Sequence, residues 1–173
     1  MFSIREELAP DHESIGAIVI EAFGNRAEAE LVDRLRQSRQ LTLSLVAVQD
    51  CEVVGHIAFC PVTIHLEGRC RNAIGLGPMA VRPANQRSGI GSGLISAGLD
   101  LLRERGARIV VVLGHPEYYS RFGFEPSTTY GIKWEHHAPE EAFMVMELQD
   151  GALRGVSGTV RYPPEFDSVQ HES

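Results

Sequence analysis

One segment limits what this chain can fold into more than any other: Arg82-Pro-Ala-Asn-Gln-Arg-Ser-Gly-Ile-Gly-Ser-Gly-Leu94. It crowds three glycines and two serines between an apolar run and an amphipathic one. Glycine sacrifices backbone order, so a turn built from it answers a need for small size or positive φ. A strand that enters a helix through such a turn leaves free N–H groups at the helix N-terminus. Those groups, with the helix dipole behind them, bind anions.

Two known phosphate fingerprints fail here on single residues. A Walker loop needs Gly-Lys-Ser/Thr, and the segment holds no lysine. The dinucleotide pattern GxGxxG would put its third glycine at position 94, which is Leu94, and no acidic residue follows at the required distance in a strand. A packing role, in which glycine merely lets a helix approach a sheet, stays open. The polar Gln86, Arg87, Ser88 and Ser92 favour an anion instead.

The rest of the chain supplies the setting. Residues 2–8 read as a first strand, stopped by Pro10, and Asp11 as the N-cap of the helix after it. There Ile15, Ile18, Val19, Ala22 and Phe23 share one helical face. Ala27, Leu31, Val32 and Leu35 mark a second, shorter helix beyond Gly24-Asn25. Leu43, Leu45 and Ala47 then alternate with Thr42, Ser44 and Val46, and residues 53–64 return as a longer strand, so 41–64 reads as a hairpin. Pro61 points to an edge or bulge in the return strand.

Residues 72–81 are apolar, a candidate central strand interrupted by Gly75, Gly77 and Pro78. After the glycine turn, Leu94, Ile95, Leu99 and Leu102 line one helix face, with Gly106 placed as its C-terminal cap. Ile109–Leu113 is a continuous apolar run, as in a strand buried on both faces. Residues 115–121 form a short helix, 125–141 are loop-rich, and 142–148 are a last strand. The tail from Asp150 either packs on the surface or adds a terminal strand. The order is that of an α/β protein with a largely antiparallel first half and one parallel β-α-β unit over 72–113.

Bulk properties narrow the function classes. At 173 residues the chain suits a single domain with a sizeable core. Its net charge, 16 − 23 = −7, is the wrong sign for holding nucleic-acid phosphates. Cys51, Cys60 and Cys70 are odd in number and form no CxxC pair, which argues against a disulfide framework or zinc and for a cytoplasmic setting. The N-terminus has no apolar signal core, and no run approaches the ~18 apolar residues of a membrane span.

Gln86-Arg-Ser-Gly-Ile-Gly91 resembles the Q/R-x-x-G-x-G/A signature of the GNAT superfamily of acyl-CoA-dependent N-acetyltransferases. The hairpin with Val54-Gly-His-Ile57, the strand ending Met79-Ala-Val81, and Tyr119-Ser-Arg-Phe-Gly-Phe124 fall in that family's order and spacing, so the resemblance covers the chain to about Leu148. It implies a GNAT-like α/β fold: a mixed, mostly antiparallel central sheet with a splayed parallel pair of strands, flanked by four or so helices. It implies one N-acetyltransferase domain over 1–173, with 150–173 as a C-terminal extension.

It also implies a site. Backbone N–H groups of Arg87, Ser88, Gly89, Ile90, Gly91 and Ser92 would hold the pyrophosphate of acetyl-CoA, with the Gln86 side chain bracing the turn. Met79, Ala80 and Val81 would face the pantetheine arm, and Tyr119 would be the general acid beside the sulfur. Tyr118, one residue away, should face elsewhere. No metal is implied. The base is left open: the strand over 72–81 has no carboxylate, and Glu21, His56 and His115 have structural readings that compete with a proton relay. His136, His137 and Trp134 lie in a loop that often borders the acceptor in this family, and as metal ligands the histidines lack spacing and partners. The expected acceptor is a small-molecule or peptide amine, and the resemblance allows a homodimer. A non-catalytic acyl-CoA sensor or interaction domain is the alternative to an enzyme.

Overall fold

The first long hairpin turns on Asp50 and Cys51, which both take positive φ (50° and 64°), as a two-residue type I′ turn requires. In this computed structural model, which describes residues 1–169, the turn joins β2 (Leu43–Gln49) to β3 (Glu52–Leu66). Around that hairpin run β1 (Ser3–Glu6), β4 (Arg69–Val81), β5 (Ile109–Leu113), β6 (Glu125–Pro126), β7 (Ile132–Trp134), β8 (Phe143–Glu147) and β9 (Gly158–Arg161). They make one mixed nine-stranded sheet in the order β1-β2-β3-β4-β5-β8-β6, with β9 beside β3 and β7 beside β9. The helices are α1 (His12–Phe23), α2 (Ala27–Gln37), α3 (Ile90–Glu104) and the single turn α4 (Pro116–Tyr119). This is the expected fold class, including the parallel pairing of β4 with β5.

The described residues group into two compact units. The first holds Met1–Cys60, Gly77–Asp100 and the described residues from Pro164. Its helices cover both faces of β2. Val46 packs with Ile15, Ile18 and Val19 of α1 and with Ala29 and Val32 of α2. Ala47 lies on the other face, where Gly55 opens onto Ile90 and Leu94 of α3. Each of the buried isoleucine, valine and leucine side chains among these stabilises the fold by ~1.5–3 kcal/mol. Glycine sets how closely α3 sits: a Cβ at Gly98 would stand 2.5 Å from the Phe59 ring, and one at Gly93 3.0 Å from Phe2.

The second unit holds Pro61–Leu76 and Leu101–Pro163. Here β5 is buried from Ile109 to Val112, parallel to β4 (Ile74↔Val110, Leu76↔Val112) and antiparallel to β8. The parallel ladder stops at Leu76, directly before Gly77-Pro78. Gly106 ends α3 as expected, donating to the Arg103 carbonyl while Ala107 N–H reaches Leu102 O, the two-bond pattern of a glycine-capped helix.

Four expectations need correction. Asp11 does not cap α1; its carboxylate turns back to accept both Arg5 guanidinium nitrogens (2.6 and 3.0 Å) and the Leu8 N–H. The alternation read into β2 is absent because both of its faces are covered, so Ser44 and Val46 are buried like Leu45. Phe23 ends α1 at 41% exposure instead of joining the core. Within 125–141 lie the short strands β6 and β7, too brief to show periodicity.

The tail's open question resolves as a strand. β9 pairs with β3 (Ile64↔Val160) and with β7 (Trp134↔Val160), which also explains Pro61: it falls between the β2 ladder, ending at Phe59, and the β9 ladder, beginning at Thr63. The last four residues of the 150–173 extension lie outside the described residues.

β9 starts at a position that admits only glycine. Gly158 has φ +129°, and a Cβ there would sit 2.2 Å from the His65 carbonyl oxygen. Gly158→Ala should therefore lower unfolding free energy by ~3 kcal/mol or more, read by urea denaturation. Wild-type stability in that variant would mean β9 does not hold β3.

Candidate active site

The glycine turn follows β4 in the first unit. Arg82 leaves the strand with its N–H on Val54 O, and a 3-10 turn at Pro83–Asn85 reverses the chain. The Gln86 side-chain amide donates back to Val81 O at 3.1 Å, and Ser88 Oγ to Asn85 O. Arg87 and Gly89 then take φ of +60° and +85°. Alternating left-handed residues of this kind turn successive N–H groups to one side, forming an anion-binding concavity. The first bond of the α3 ladder at this end runs from Gly93 N–H to Gly89 O, so the N–H groups before Gly93 are left for another partner. Residues 86–89 are exposed, while Ile90, 1% exposed, anchors the turn in the core.

The turn's glycines divide by task. Gly89 has positive φ and nothing within 4 Å of a hypothetical Cβ, so the space it leaves faces no protein. Gly93 does press α3 onto Phe2 and Ile4, so the packing reading holds there. Met79, Ala80 and Val81 end β4 just before the turn, and Gln86 ties their strand to it.

Tyr119 closes α4 in the second unit, 8% exposed. Its ring meets Tyr118 and Phe124 edge-on, at centroid distances of 5.2 and 5.7 Å. Gly114 makes room for it, since a Cβ there would stand 2.3 Å from the ring. Burial, with a smaller contribution from Tyr118, pushes the phenol up to about 12, so Tyr119 is a protonated donor at neutral pH. Tyr118 turns toward Phe122 and the Arg121 guanidinium. The turn with Met79–Val81 and Tyr119 thus belong to different units.

Of the base candidates, Glu21 is half exposed beside Arg82 (3.9 Å), which also holds Glu52 at 3.1 Å, and His115 is an exposed turn residue. His56 is wholly buried in a network no sequence pattern announced. Arg36 donates to both Glu7 oxygens (2.8 and 3.0 Å), and Ser44 Oγ lies 2.5 Å from Glu7 Oε2 and 2.8 Å from His56 Nε2. A carboxylate only accepts, so Ser44 donates to Glu7 and accepts from His56 Nε2–H. His56 Nδ1 is left without a partner.

Burial drives His56 down to about 4, with Glu7 opposing and Arg36 assisting. For Glu7, burial is the largest influence and acts upward, but Arg36, Ser44 and His56 together hold it below its ordinary value. An unfolded His56 would take a proton near pH 6.5, and the folded one does not until about 4. Stability therefore falls as pH drops through that window, and falls further below the usual carboxylate range as Glu7 is protonated. We expect unfolding free energy to drop by roughly 2 kcal/mol between pH 7.5 and 5 from His56 alone, and His56→Gln to remove most of that slope. Chemical denaturation at the two pH values checks this; a flat wild-type profile refutes it.

Two of the cavities among the described residues are large enough to admit a substrate. One of about 370 Å³ in the second unit has Ile132, Trp134, His136 and Phe143 in its lining, together with Lys133, Glu135 and Glu140. Trp134 stacks on Phe143 at 6.3 Å and meets His136 edge-on. The other, about 530 Å³, lies between α1 and α2 among charged residues including Glu13, Arg26 and Asp33. Among the described residues, no group of three or more His, Cys, Asp or Glu is placed to hold a metal ion, and no helix is long and apolar enough to cross a membrane.

Comparison with known proteins bears directly on this geometry. Residues 3–127 match the family model described as acetyltransferase (GNAT) domain. The N-acetyltransferase YhbS of Escherichia coli strain K12 is 40% identical over 165 residues, 95% of this chain and 98% of its own. A crystal structure of YhbS from Escherichia coli in complex with CoA superposes with a TM-score of 0.91, covering 96% of this chain and 92% of that one. A GNAT family acetyltransferase from Brucella melitensis in complex with acetyl-CoA is 39% identical with a TM-score of 0.80, covering 96% and 99%.

Proposed function

This chain belongs to the GNAT family of acetyltransferases, and from that premise we propose that it moves an acetyl group from acetyl-CoA to an amine by direct attack in a ternary complex. The observation that carries the reading is the Gln86–Ser92 turn: positive φ at Arg87 and Gly89, and N–H groups without a helical partner in front of Gly93. These donors fit a pyrophosphate, and acetyl-CoA and CoA occupy two proteins of about 40% identity and the same fold. Met79, Ala80 and Val81 would supply backbone groups to the pantetheine arm and the thioester carbonyl.

Acetyl transfer forms a C–N bond, breaks the C–S bond, and moves one proton from nitrogen to sulfur. Tyr119 would donate a hydrogen bond to the departing sulfur. With its phenol near 12 and an ordinary thiol near ~8.5, outright transfer would be uphill by ~5 kcal/mol. A donor that steadies the thiolate, with the proton coming in the end from the acceptor nitrogen, suits those values better than full general-acid catalysis. His56, buried and held near 4, is not the base that deprotonates the acceptor.

The acceptor is an amine of a small molecule or peptide, and the Trp134 cavity suits it better than the α1–α2 groove. Both cavities lie within the ~300–1,000 Å³ typical of small-molecule sites, but only this one has the rings of a tryptophan and a phenylalanine in its lining, and its Glu135 and Glu140 outnumber Lys133 there, which suits a cationic amine. Cys51, Cys60 and Cys70 are all free thiols, which supports a cytoplasmic setting. The test is calorimetric titration with acetyl-CoA, then thiol release assayed across an amine panel. Saturable binding followed by turnover on at least one amine is expected. Binding without turnover on any amine would make the chain an acyl-CoA sensor, and no binding would overturn the reading.

A further inference from the structure

Fifteen of the sixteen basic residues are arginines, and most of those in the first unit sit against carboxylates, as Arg5, Arg36 and Arg82 do. Several arginines of the second unit have no such partner among the described residues, and three of those converge. Arg71 near the start of β4, Arg108 immediately before β5, and Arg154 in the turn after β8 line one cavity of about 120 Å³, together with Asn72. No carboxylate lines it, and no ion pair is made by any of the three among the described residues. The convergence comes from the sheet: extending the Ile74↔Val110 register back by two residues sets Asn72 beside Arg108. The turn after β8 is pinned separately, by Leu153 N–H on Glu147 Oε2 and Leu148 N–H on Arg108 O.

Three exposed arginines line one hollow with no carboxylate among its lining residues, so their charges oppose one another through solvent, in a chain whose net charge is −7. A bound anion removes that repulsion. The size selects its kind: 120 Å³ far exceeds the ~10–15 Å³ that one water needs, yet falls short of the ~300 Å³ of a metabolite-sized site. Guanidinium forks match phosphate oxygens in pairs, and the Asn72 amide adds a further donor. Three positive charges favour a dianion over a carboxylate. We propose that Arg71, Arg108 and Arg154 form a phosphate-binding site, for inorganic phosphate or a phosphomonoester whose remainder stays in solvent. These residues belong to the second unit, whereas the glycine turn proposed for the coenzyme belongs to the first.

The experiment uses the full chain saturated with coenzyme A, so that the pyrophosphate turn is filled. Inorganic phosphate is titrated at constant ionic strength against chloride, by calorimetry and phosphorus NMR. Saturable binding is expected, weakened at least ~10-fold in the double variant Arg71→Gln/Arg154→Gln, while coenzyme affinity and transfer rate stay within about twofold of wild type. A parallel titration with glycerol 3-phosphate separates the sources: tighter binding than inorganic phosphate marks a phosphomonoester site, and weaker binding a site for the free anion. The proposal fails if phosphate does not saturate up to tens of millimolar, if the double variant binds it equally well, or if coenzyme A abolishes binding. Thermal unfolding of the double variant shows whether it is folded; if it is not, Arg154→Gln alone, on an exposed turn, carries the same comparison.

Discussion

Tyr119→Phe should lower kcat by ~10²-fold or more with acetyl-CoA affinity nearly unchanged, because only the transition state develops negative charge on sulfur. The substitution keeps the ring that meets Tyr118 and Phe124 and removes only the hydroxyl, so folding should be spared. Steady-state kinetics with a fixed amine, alongside calorimetric acetyl-CoA binding, separates the two quantities. Since the phenol lies near 12, wild-type activity should show no decline attributable to Tyr119 below about pH 10. Gly114→Ala supplies an independent arm: its Cβ would stand 2.3 Å from the Tyr119 ring and must displace it, lowering kcat while Tyr119 itself remains. Full activity in Tyr119→Phe would remove the residue from the reaction, and the role at sulfur would pass to a solvent proton.

The glycine turn was readable in the sequence because its requirements are local. Positive φ, small size and the polar braces Gln86 and Ser88 must all lie within a few residues, so they appear as a motif. The strand Ile109–Leu113 was equally legible, since burial of Ile109 to Val112 on both faces leaves a continuous apolar run, although Leu113 at its end is exposed. What was not legible depends on distant partners. Asp11 looks like a helix cap until Arg5 claims its carboxylate, and both choices satisfy the same local pattern. Glu7, Arg36, Ser44 and His56 come from four separate elements or their edges, and no spacing rule links them. The strands β7 and β9 have three and four residues, shorter than any period that would announce them: β9 pairs with the part of β3 that outruns β2, and β7 pairs with β9 in turn. Tyr119 lies between these cases: its motif placed it, but its altered acidity comes from burial that only the fold reveals.

Gly89→Asp should weaken acetyl-CoA binding by ~100-fold or more while leaving the protein folded, which makes it the sharpest test of the turn. Two effects oppose each other in the free protein. Positive φ of 85° strains any residue with a Cβ, though aspartate tolerates that region better than most. A carboxylate beside the start of α3 is in turn favoured by the helix dipole and by N–H groups that lack a partner. Nothing lies within 4 Å of the new Cβ, so no clash adds to the cost. In the complex both effects turn against the coenzyme: the side chain occupies the N–H groups the pyrophosphate would use and sets a negative charge against it. Gly93→Ala gives the contrast. Its Cβ would meet Phe2 at 3.0 Å and Ile4 at 3.2 Å, so it should lose stability by ~1 kcal/mol or more yet bind the coenzyme normally once folded. If Gly89→Asp bound acetyl-CoA within about threefold of wild type, the pyrophosphate would have to lie elsewhere, and the positive φ at Arg87 and Gly89 would need another explanation. If instead Gly89→Asp lost both binding and fold while Gly93→Ala lost neither, the turn would be a packing device and the division of its glycines would be reversed.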